Sequence, residues 1–155
     1  MTSNSGIKVH VALPNHASIG GETFWADQVG DSLYRLANVP FWAYGLNYRD
    51  VVRATPDSDG MLIIHEVTEP SGHRTLRVMF VSDVDTGQQS ELLGQIHQPD
   101  TVTFERANNS LVAINIAPDA NYLAVFDKLE AWADSNLLDF ETCHPRVEGS
   151  FDDSP

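Results

Sequence analysis

Hydrophobic and polar residues alternate along several short segments in the first half of the chain, the pattern of β-strands that bury one face. Turn-forming residues separate these segments, notably Gly30-Asp31 and the run from Pro56 to Gly60. The pattern predicts a small twisted sheet or barrel over residues 22–72, preceded by an N-terminal strand and loop over residues 1–21. The strands are predicted at residues 7–13, 22–29, 32–38, 47–55 and 61–68.

From residue 73 onward, helical segments alternate with strands. The first predicted helix begins at Thr86, where Gln89 completes a capping box, and it ends at Pro99. The second begins at Pro118-Asp119. Its apolar residues recur every three or four positions and form one stripe of Tyr122, Val125, Phe126, Leu129, Trp132 and Ala133. Strands are predicted at residues 73–81, 101–106, 111–116 and 137–142.

The order of elements over residues 73–145 is β-α-β-β-α-β, which is the ferredoxin-like split unit. The predicted fold class is α+β, with the small β unit packed on the ferredoxin-like unit and a disordered tail over residues 146–155. Right-handed crossovers place both helices on one face of a four-stranded antiparallel sheet. Strand alternation assigns to that face Leu76, Val78, Phe80, Val102, Phe104, Val112, Ile114, Ile116, Leu138 and Phe140. The other face receives Thr75, Arg77, Met79, Thr101, Thr103, Glu105, Ala113, Asn115, Asp139 and Glu141.

The charge of the chain is strongly acidic, with nine Lys and Arg residues against 22 Asp and Glu residues and a formal net charge of −13. Phosphate backbones attract proteins of the opposite sign, so nucleic-acid binding is not expected. The sheet face predicted to be open also lacks the aromatic residues on which RNA-recognition domains stack bases. Two interpretations of the acidity remain: it serves solubility, or it attracts a basic protein partner.

The single cysteine, Cys143, excludes an internal disulfide and is typical of a protein from a reducing compartment. No apolar run approaches the roughly 20 residues of a membrane span. The first residues lack the basic and apolar regions of a signal peptide. We therefore expect a cytoplasmic protein without a membrane partner.

Three motifs resemble catalytic or metal sites, and each lacks a residue, a spacing or a geometry that the site requires. The segment from His65 to Glu69 lacks the second histidine of a zinc-protease motif. The run Asp83-x-Asp85-x-Gly87 departs from the spacing of a calcium loop. Cys143 and His144 are adjacent on a strand and should point to opposite faces, so they do not form a nucleophile and base. We expect no catalytic residue, no metal site and no cofactor.

Two groups of residues remain as candidate binding sites. The first is a partner-binding surface in which Asp127, Glu130 and Asp134, spaced i, i+3 and i+7, line one edge of the second helix. Asp139 and Glu141 on the last strand extend it. The alternative for this row is a solvated helix face without a partner.

The second group is a ligand pocket built from the aromatic stretch 41–48 and the junction of the two halves. Aromatic side chains anchor binding sites but also fill small β cores. A histidine and two arginines could hold a carboxylate or phosphate, although Arg77 could instead pair with Asp139 or Glu141 on the neighbouring strand. The residues of this candidate pocket are Phe41, Trp42, Tyr44, His73, Arg74 and Arg77.

Two stretches, Tyr34 to Leu46 followed by Asp50-Val51-Val52, and Ser71 to Val78, resemble a family of small bacterial proteins known as domain of unknown function 4265. The resemblance covers about residues 22–142 and carries over no catalytic residue. It implies a bacterial cytosolic protein with immunity proteins of toxin systems among its relatives. We therefore expect a small acidic protein-binding module, an immunity-type inhibitor that masks a basic toxin. The alternative is a small-molecule-binding protein or small enzyme that uses the candidate pocket.

Overall fold

The computed structural model describes residues 6–155, which form two sheets and two helices. The first five strands make a closed barrel and the remaining four make an open sheet. The strands are β1 (Ile7–Ala12), β2 (Gly21–Gly30), β3 (Leu33–Leu36), β4 (Val51–Pro56), β5 (Leu62–Glu69), β6 (Arg74–Phe80), β7 (Val102–Arg106), β8 (Leu111–Ile116) and β9 (Leu138–Thr142). The helices are α1 (Thr86–Ile96) and α2 (Tyr122–Asp134).

The barrel closes because β1 pairs with two strands. It runs antiparallel to β2 and parallel to β5, where Val9 lies opposite Leu62. Inward residues from the strands and the following loops form the barrel core: Val9, Val11, Leu13, Phe24, Ala26, Tyr34, Leu36, Ala43, Leu46, Val52, Ala54 and Ile64. The prediction set residues 1–21 apart from the β unit, whereas β1 is an integral strand of the barrel. Residues 1–5 of that segment lie outside the described residues.

The second sheet has the strand order β7-β8-β6-β9, with every neighbouring pair antiparallel. With a helix after β6 and another after β8, this confirms the ferredoxin-like βαββαβ arrangement and the α+β fold class. Both helices pack on the same face, since Leu93 and Ile96 of α1 share one core with Val125 and Leu129 of α2. The apolar strand residues assigned to the helices belong to this core with one exception. Phe104, on the edge strand, is 37% exposed and contacts the ring of His97.

The first helix begins at Thr86 as predicted but has a different capping residue, and the second begins later than the predicted Pro118-Asp119. Asp85, rather than Thr86, is the N-cap of α1 and forms the capping box with Gln88. Gln89 is instead buried, where its amide donates to the carbonyl of Val84. The second helix begins after Asn121, whose side chain accepts the backbone N–H of Ala124.

The face of the sheet opposite the helices is not open. Thr75, Arg77, Ala113 and Asn115 on this face are buried, because the chain that follows β3 of the barrel packs over them. On α2 the predicted stripe is centred on Val125 and Leu129, which are buried, while Tyr122, Phe126, Trp132 and Ala133 are partly buried around them.

The tail over residues 146–155, predicted to be disordered, packs back on the barrel. Phe151 lies against the barrel core, and its carbonyl accepts the backbone N–H of Tyr44 at 2.9 Å. The buried carboxylate of Asp152 accepts the backbone N–H of Asn15 at 2.7 Å. In residues 6–155, neither helix has the length and apolar character needed to cross a membrane.

Candidate functional site

A groove of about 470 Å³ lies where the barrel loops meet the free end of the β6–β9 strand pair. The loop after β1 and the segment after β3 form one wall, and strands β6 and β9 form the other. Its lining residues are His16, Ser18, Ile19, Phe41, Trp42, Tyr44, Arg77, Val78, Met79, Asn108, Leu111, Asp139, Phe140 and Glu141. This is a mixed surface, with apolar walls and several charged groups.

The aromatic wall is held in place by one buried carboxylate. Glu22, on β2, is 6% exposed and accepts three successive backbone N–H groups, from Phe41 at 2.7 Å, Trp42 at 3.0 Å and Ala43 at 2.8 Å. Burial raises the pKa of Glu22, although the three N–H donors and the nearby Arg77 act in the opposite direction. The backbone that carries the two aromatic side chains is therefore fixed to the barrel.

The floor of the groove is an ion pair between neighbouring strands. Arg77 on β6 donates to Glu141 on β9 at 3.0 Å and to the carbonyl of Ala43 at 2.8 Å. The hydroxyl of Tyr44 donates to the same carboxylate of Glu141 at 2.8 Å. Burial and the adjacent Glu141 raise the pKa of Tyr44. The interpretation of Arg77 as a partner of Glu141 is confirmed.

The ring of Tyr44 lies between two arginines. The Arg77 guanidinium is 4.6 Å from its centroid and that of Arg146 is 4.5 Å. These contacts join β6, the segment after β3 and the C-terminal tail into one unit. Since Arg77, Glu141 and Tyr44 satisfy one another, they form a rigid base on which other groups can bind a partner.

The rim of the groove offers the surface that a partner would touch. Phe41 and Trp42 are half-buried with ring centroids 5.6 Å apart, and the His16 ring meets Trp42 edge-on at 6.5 Å. Met79 is 46% exposed, and it lies opposite Asp139 in the pairing of β6 with β9. Half-exposed aromatics, a flexible thioether and a free carboxylate suit an amphipathic side chain with a positive end.

The structure divides the predicted site residues among separate places. Phe41, Trp42, Tyr44, Arg77, Asp139 and Glu141 converge on the groove. His73 lies outside it, with Nδ1 2.9 Å from the amide oxygen of Asn115. Arg74 also lies outside it, 4.5 Å over the ring of Tyr122. The predicted pocket is therefore split.

The acidic row predicted on the second helix is likewise separated from the groove. Asp127, Glu130 and Asp134 are all exposed on α2. The helix covers the face of the sheet opposite the one that meets the barrel. The three carboxylates on α2 and the two on β9 therefore lie on different surfaces of the protein.

Sequence reasoning missed Glu22, His16 and Met79 as site residues. A signal existed for Glu22, since strand alternation places it on the inward side with Phe24 and Ala26. A carboxylate at such a position must find hydrogen-bond donors, which here are backbone N–H groups.

The structure gives the burial of the adjacent pair Cys143 and His144. Cys143 is buried and its neighbour His144 is exposed. No group of three or more His, Cys, Asp and Glu side chains between residues 6 and 155 has the geometry to hold a metal ion.

Comparison with known proteins gives a matching family model and a similar solved structure. The family model described as "Domain of unknown function (DUF4265)" matches residues 22–140, more than half of the chain. No curated protein matches. The fold is similar to that of a solved structure titled "Novel crystal structure of a hypothetical protein from Neisseria gonorrhoeae". The two share 14% sequence identity with a TM-score of 0.72, over 93% of this chain and 96% of that one.

Proposed function

The chain belongs to the DUF4265 family, and we propose that it is a small acidic bacterial protein-binding module, acting in the cytoplasm as an immunity-type inhibitor that masks a basic toxin. The observation that carries the proposal is the groove beside Phe41 and Trp42, in which preorganised aromatic side chains stand next to the exposed carboxylate of Asp139.

The groove has the properties of an interface hot spot. Trp, Tyr and Met are enriched where partners bury most of their binding free energy, and Trp42, Tyr44 and Met79 all line it. Glu22 fixes the backbone of the Phe41–Trp42 wall, so little conformational entropy is lost when a partner binds.

The charge of the chain favours a basic partner. A formal net charge of −13 draws a cationic protein toward the surface and increases its association rate. The exposed Asp127, Glu130 and Asp134 contribute to this long-range field, even though they lie away from the groove. We therefore assign the row on α2 to steering and the groove to contact.

A small-molecule ligand or substrate is the second candidate for the same groove. Its volume of about 470 Å³ lies within the roughly 300–1,000 Å³ of small-molecule sites. Under this alternative, Trp42 and Phe41 would cover an apolar ligand and Asp139 would orient a polar group. The protein proposal is preferred because the groove is bordered by exposed apolar surface at Met79.

Site-specific photo-crosslinking in bacterial cells tests the proposal. A benzophenone amino acid replaces Met79, which is 46% exposed at the groove, and in a matched control it replaces Leu123, which is 67% exposed on α2. We expect a basic protein crosslinked through position 79 and not through position 123. The captured protein is then expressed alone and together with this chain, with growth as the readout.

Toxicity that wild type relieves and Trp42→Ala does not relieve would support the immunity function. Crosslinking only through position 123 would move the interface to the acidic helix. Capture of a protein that is neither basic nor toxic would overturn the inhibitor proposal. If position 79 captures no protein and a metabolite protects Trp42 fluorescence from quenching, the small-molecule alternative replaces it.

A further inference from the structure

A second cavity, of about 280 Å³, gathers cationic side chains on a chain that has few of them. It lies at another junction of the barrel with the sheet and shares no lining residue with the groove. Two of its residues, Arg35 and Arg49, offer positively charged hydrogen-bond donors, and His73 adds an imidazole ring. Its lining is Arg35, Arg49, Val51, Glu69, Pro70, Ser71 and His73.

The backbone around this cavity is fixed by a buried carboxylate. Asp50, 2% exposed, accepts the backbone N–H of Asn47 at 2.9 Å and that of Ser71 at 2.9 Å. The hydroxyl of Ser71 donates to the carbonyl of Tyr48 at 2.7 Å. These bonds tie the turn before β4 to the junction before β6, so Arg49 and His73 face one cavity in a defined geometry.

Arg49 adopts a backbone conformation that residues other than glycine rarely take. Its φ is 72°, in the left-handed region, and its N–H donates to the carbonyl of Leu36 at 3.0 Å. Such a conformation at a residue with a Cβ is unfavourable by roughly 1 kcal/mol relative to glycine. A long cationic side chain at a position that favours glycine indicates a role other than stability.

The two arginines of the cavity are not neutralised by ion pairs. Within residues 6–155, the Lys and Arg ion pairs are Arg53 with Glu66 and Arg77 with Glu141. Glu69, an exposed residue, is the one carboxylate in the lining. The positive charge of the two guanidinium groups in the lining is therefore larger than the negative charge of this carboxylate.

His73 adds a directional polar contact to this wall. The Asn115 amide nitrogen donates to Thr103, which leaves its oxygen to accept from Nδ1 of His73 at 2.9 Å. The Tyr48 ring meets the imidazole edge-on at 5.3 Å. With Nδ1 occupied and the ring oriented, Nε2 is the nitrogen left for an external group.

We propose that the cavity formed by Arg35, Arg49 and His73 is a phosphate-binding site, occupied by free phosphate or by the phosphate of a small monoester. Two guanidinium groups match the oxygen geometry of phosphate, and the imidazole supplies a third contact. The field of a chain with a net charge of −13 repels anions, so saturable phosphate binding here requires a local site. The proposal is independent of the protein-binding function.

Calorimetric titration with inorganic phosphate and with phenyl phosphate tests the site, in buffers matched for ionic strength with sodium chloride. Wild type should bind at one site per chain, and Arg35→Ala should weaken binding about tenfold or more. Equal affinity for both probes indicates a site for free phosphate, and tighter binding of phenyl phosphate indicates a monoester. Arg53→Ala is the matched control, because Arg53 is a half-buried barrel arginine outside the cavity.

The decisive variant is Arg49→Gly, which removes the cation and relieves the unfavourable backbone conformation. It should unfold at the same or a higher urea concentration than wild type while its phosphate affinity falls about tenfold. The proposal would be overturned if Arg49→Gly and Arg35→Ala bound phosphate with wild-type affinity. It would also be overturned if neither probe showed saturable binding to wild type.

Discussion

The carboxylate of Glu22 accepts the backbone N–H of Trp42 at 3.0 Å, so a residue inside the barrel sets the position of an aromatic side chain in the groove. The same carboxylate also bonds the residues on either side, Phe41 and Ala43. The groove wall is therefore fixed by the barrel, and its shape should depend on a residue buried behind it.

Replacing Glu22 should affect stability and binding together. Glu22→Gln keeps the size but loses an acceptor oxygen for three buried N–H groups, and we expect a loss of about 1–3 kcal/mol in urea unfolding. The affinity of a partner for the groove should also fall, and by more than the decrease in the folded fraction of this variant would explain. Unchanged stability would mean that the three N–H groups find other acceptors.

The pH dependence of stability should carry the signature of Glu22. Burial raises its pKa above the ordinary 4.5, so between that value and the raised pKa the folded chain binds more protons than the unfolded chain. The contribution of Glu22 is therefore greatest below pH 4.5 and is lost as pH rises through the raised pKa. Urea unfolding at several pH values in this range should show this loss of stability with rising pH in wild type and not in Glu22→Gln. A contribution of Glu22 that increases with pH would contradict the prediction.

Cys143 should be unreactive in the folded chain. Burial raises the pKa of its thiol to about 12, despite the opposing effect of Arg77. At pH 8 only about one thiol in 10⁴ is then ionised, so an aromatic disulfide reagent should label native protein at least ~100-fold more slowly than urea-unfolded protein. Absorbance of the released thiolate gives both rates, and comparable rates would place Cys143 at the surface.

The two ion pairs should differ in their effect on stability. Arg77 is buried and bonds Glu141 and the carbonyl of Ala43. Arg77→Met should therefore destabilise the fold by about 2–4 kcal/mol, a range that already allows for the partial exposure of Glu141. The side chains of Arg53 and Glu66 are each about half exposed, at 42% and 56%, so Arg53→Ala should change stability by less than about 1 kcal/mol. Equal losses in chemical denaturation would contradict this ranking.

The rotation of α2 can be tested within that helix. Leu129 is fully buried, so Leu129→Ala should lower the free energy of unfolding by about 2–5 kcal/mol. Asp127 is exposed, and Asp127→Ala should stay within about 0.5 kcal/mol of wild type. Partly buried Trp132 should show an intermediate loss on truncation to alanine, and a loss larger than that of Leu129→Ala would mean that the helix is rotated.

Once a basic partner has been identified, long-range electrostatic attraction and direct contact should affect different rate constants of binding. The Asp127/Glu130/Asp134 triple alanine variant should slow association at low salt and converge with wild type at high salt, where screening shortens the range of the field. Trp42→Ala should mainly increase the dissociation rate. Surface plasmon resonance at two salt concentrations measures both rates. A triple variant with wild-type association at low salt would assign these carboxylates to solubility alone.

The ferredoxin-like unit could be predicted because its signals are local. The short apolar run of β8 and the spacing of Val125 and Leu129 are visible within a few residues. The strand order of that unit also places β9 beside β6, which made the pairing of Arg77 with Glu141 an available expectation.

The full lining of the groove and the pairing of β1 with β5 that closes the barrel could not be predicted, because they join distant segments. The groove combines residues from the loop after β1, the segment after β3 and strands β6 and β9. The parallel pairing of Val9 with Leu62 leaves no periodic trace in either strand. The tail over residues 146–155 was predicted to be disordered, whereas contacts with distant residues, such as that of Asp152 with Asn15, hold it against the barrel.

The contact between Asp152 and Asn15 spans 137 residues and has a consequence for biosynthesis. A ribosome releases the chain from its N-terminal end, so the loop after β1 emerges long before its bonding partner is translated. Until then the backbone N–H of Asn15 must bond water, and Phe151 is absent from the barrel core. The groove wall that includes His16 and Ile19 thus acquires its final support only after Phe151 and Asp152 have been translated, and a nascent chain that stops short of them should lack the complete groove even when its barrel has already closed.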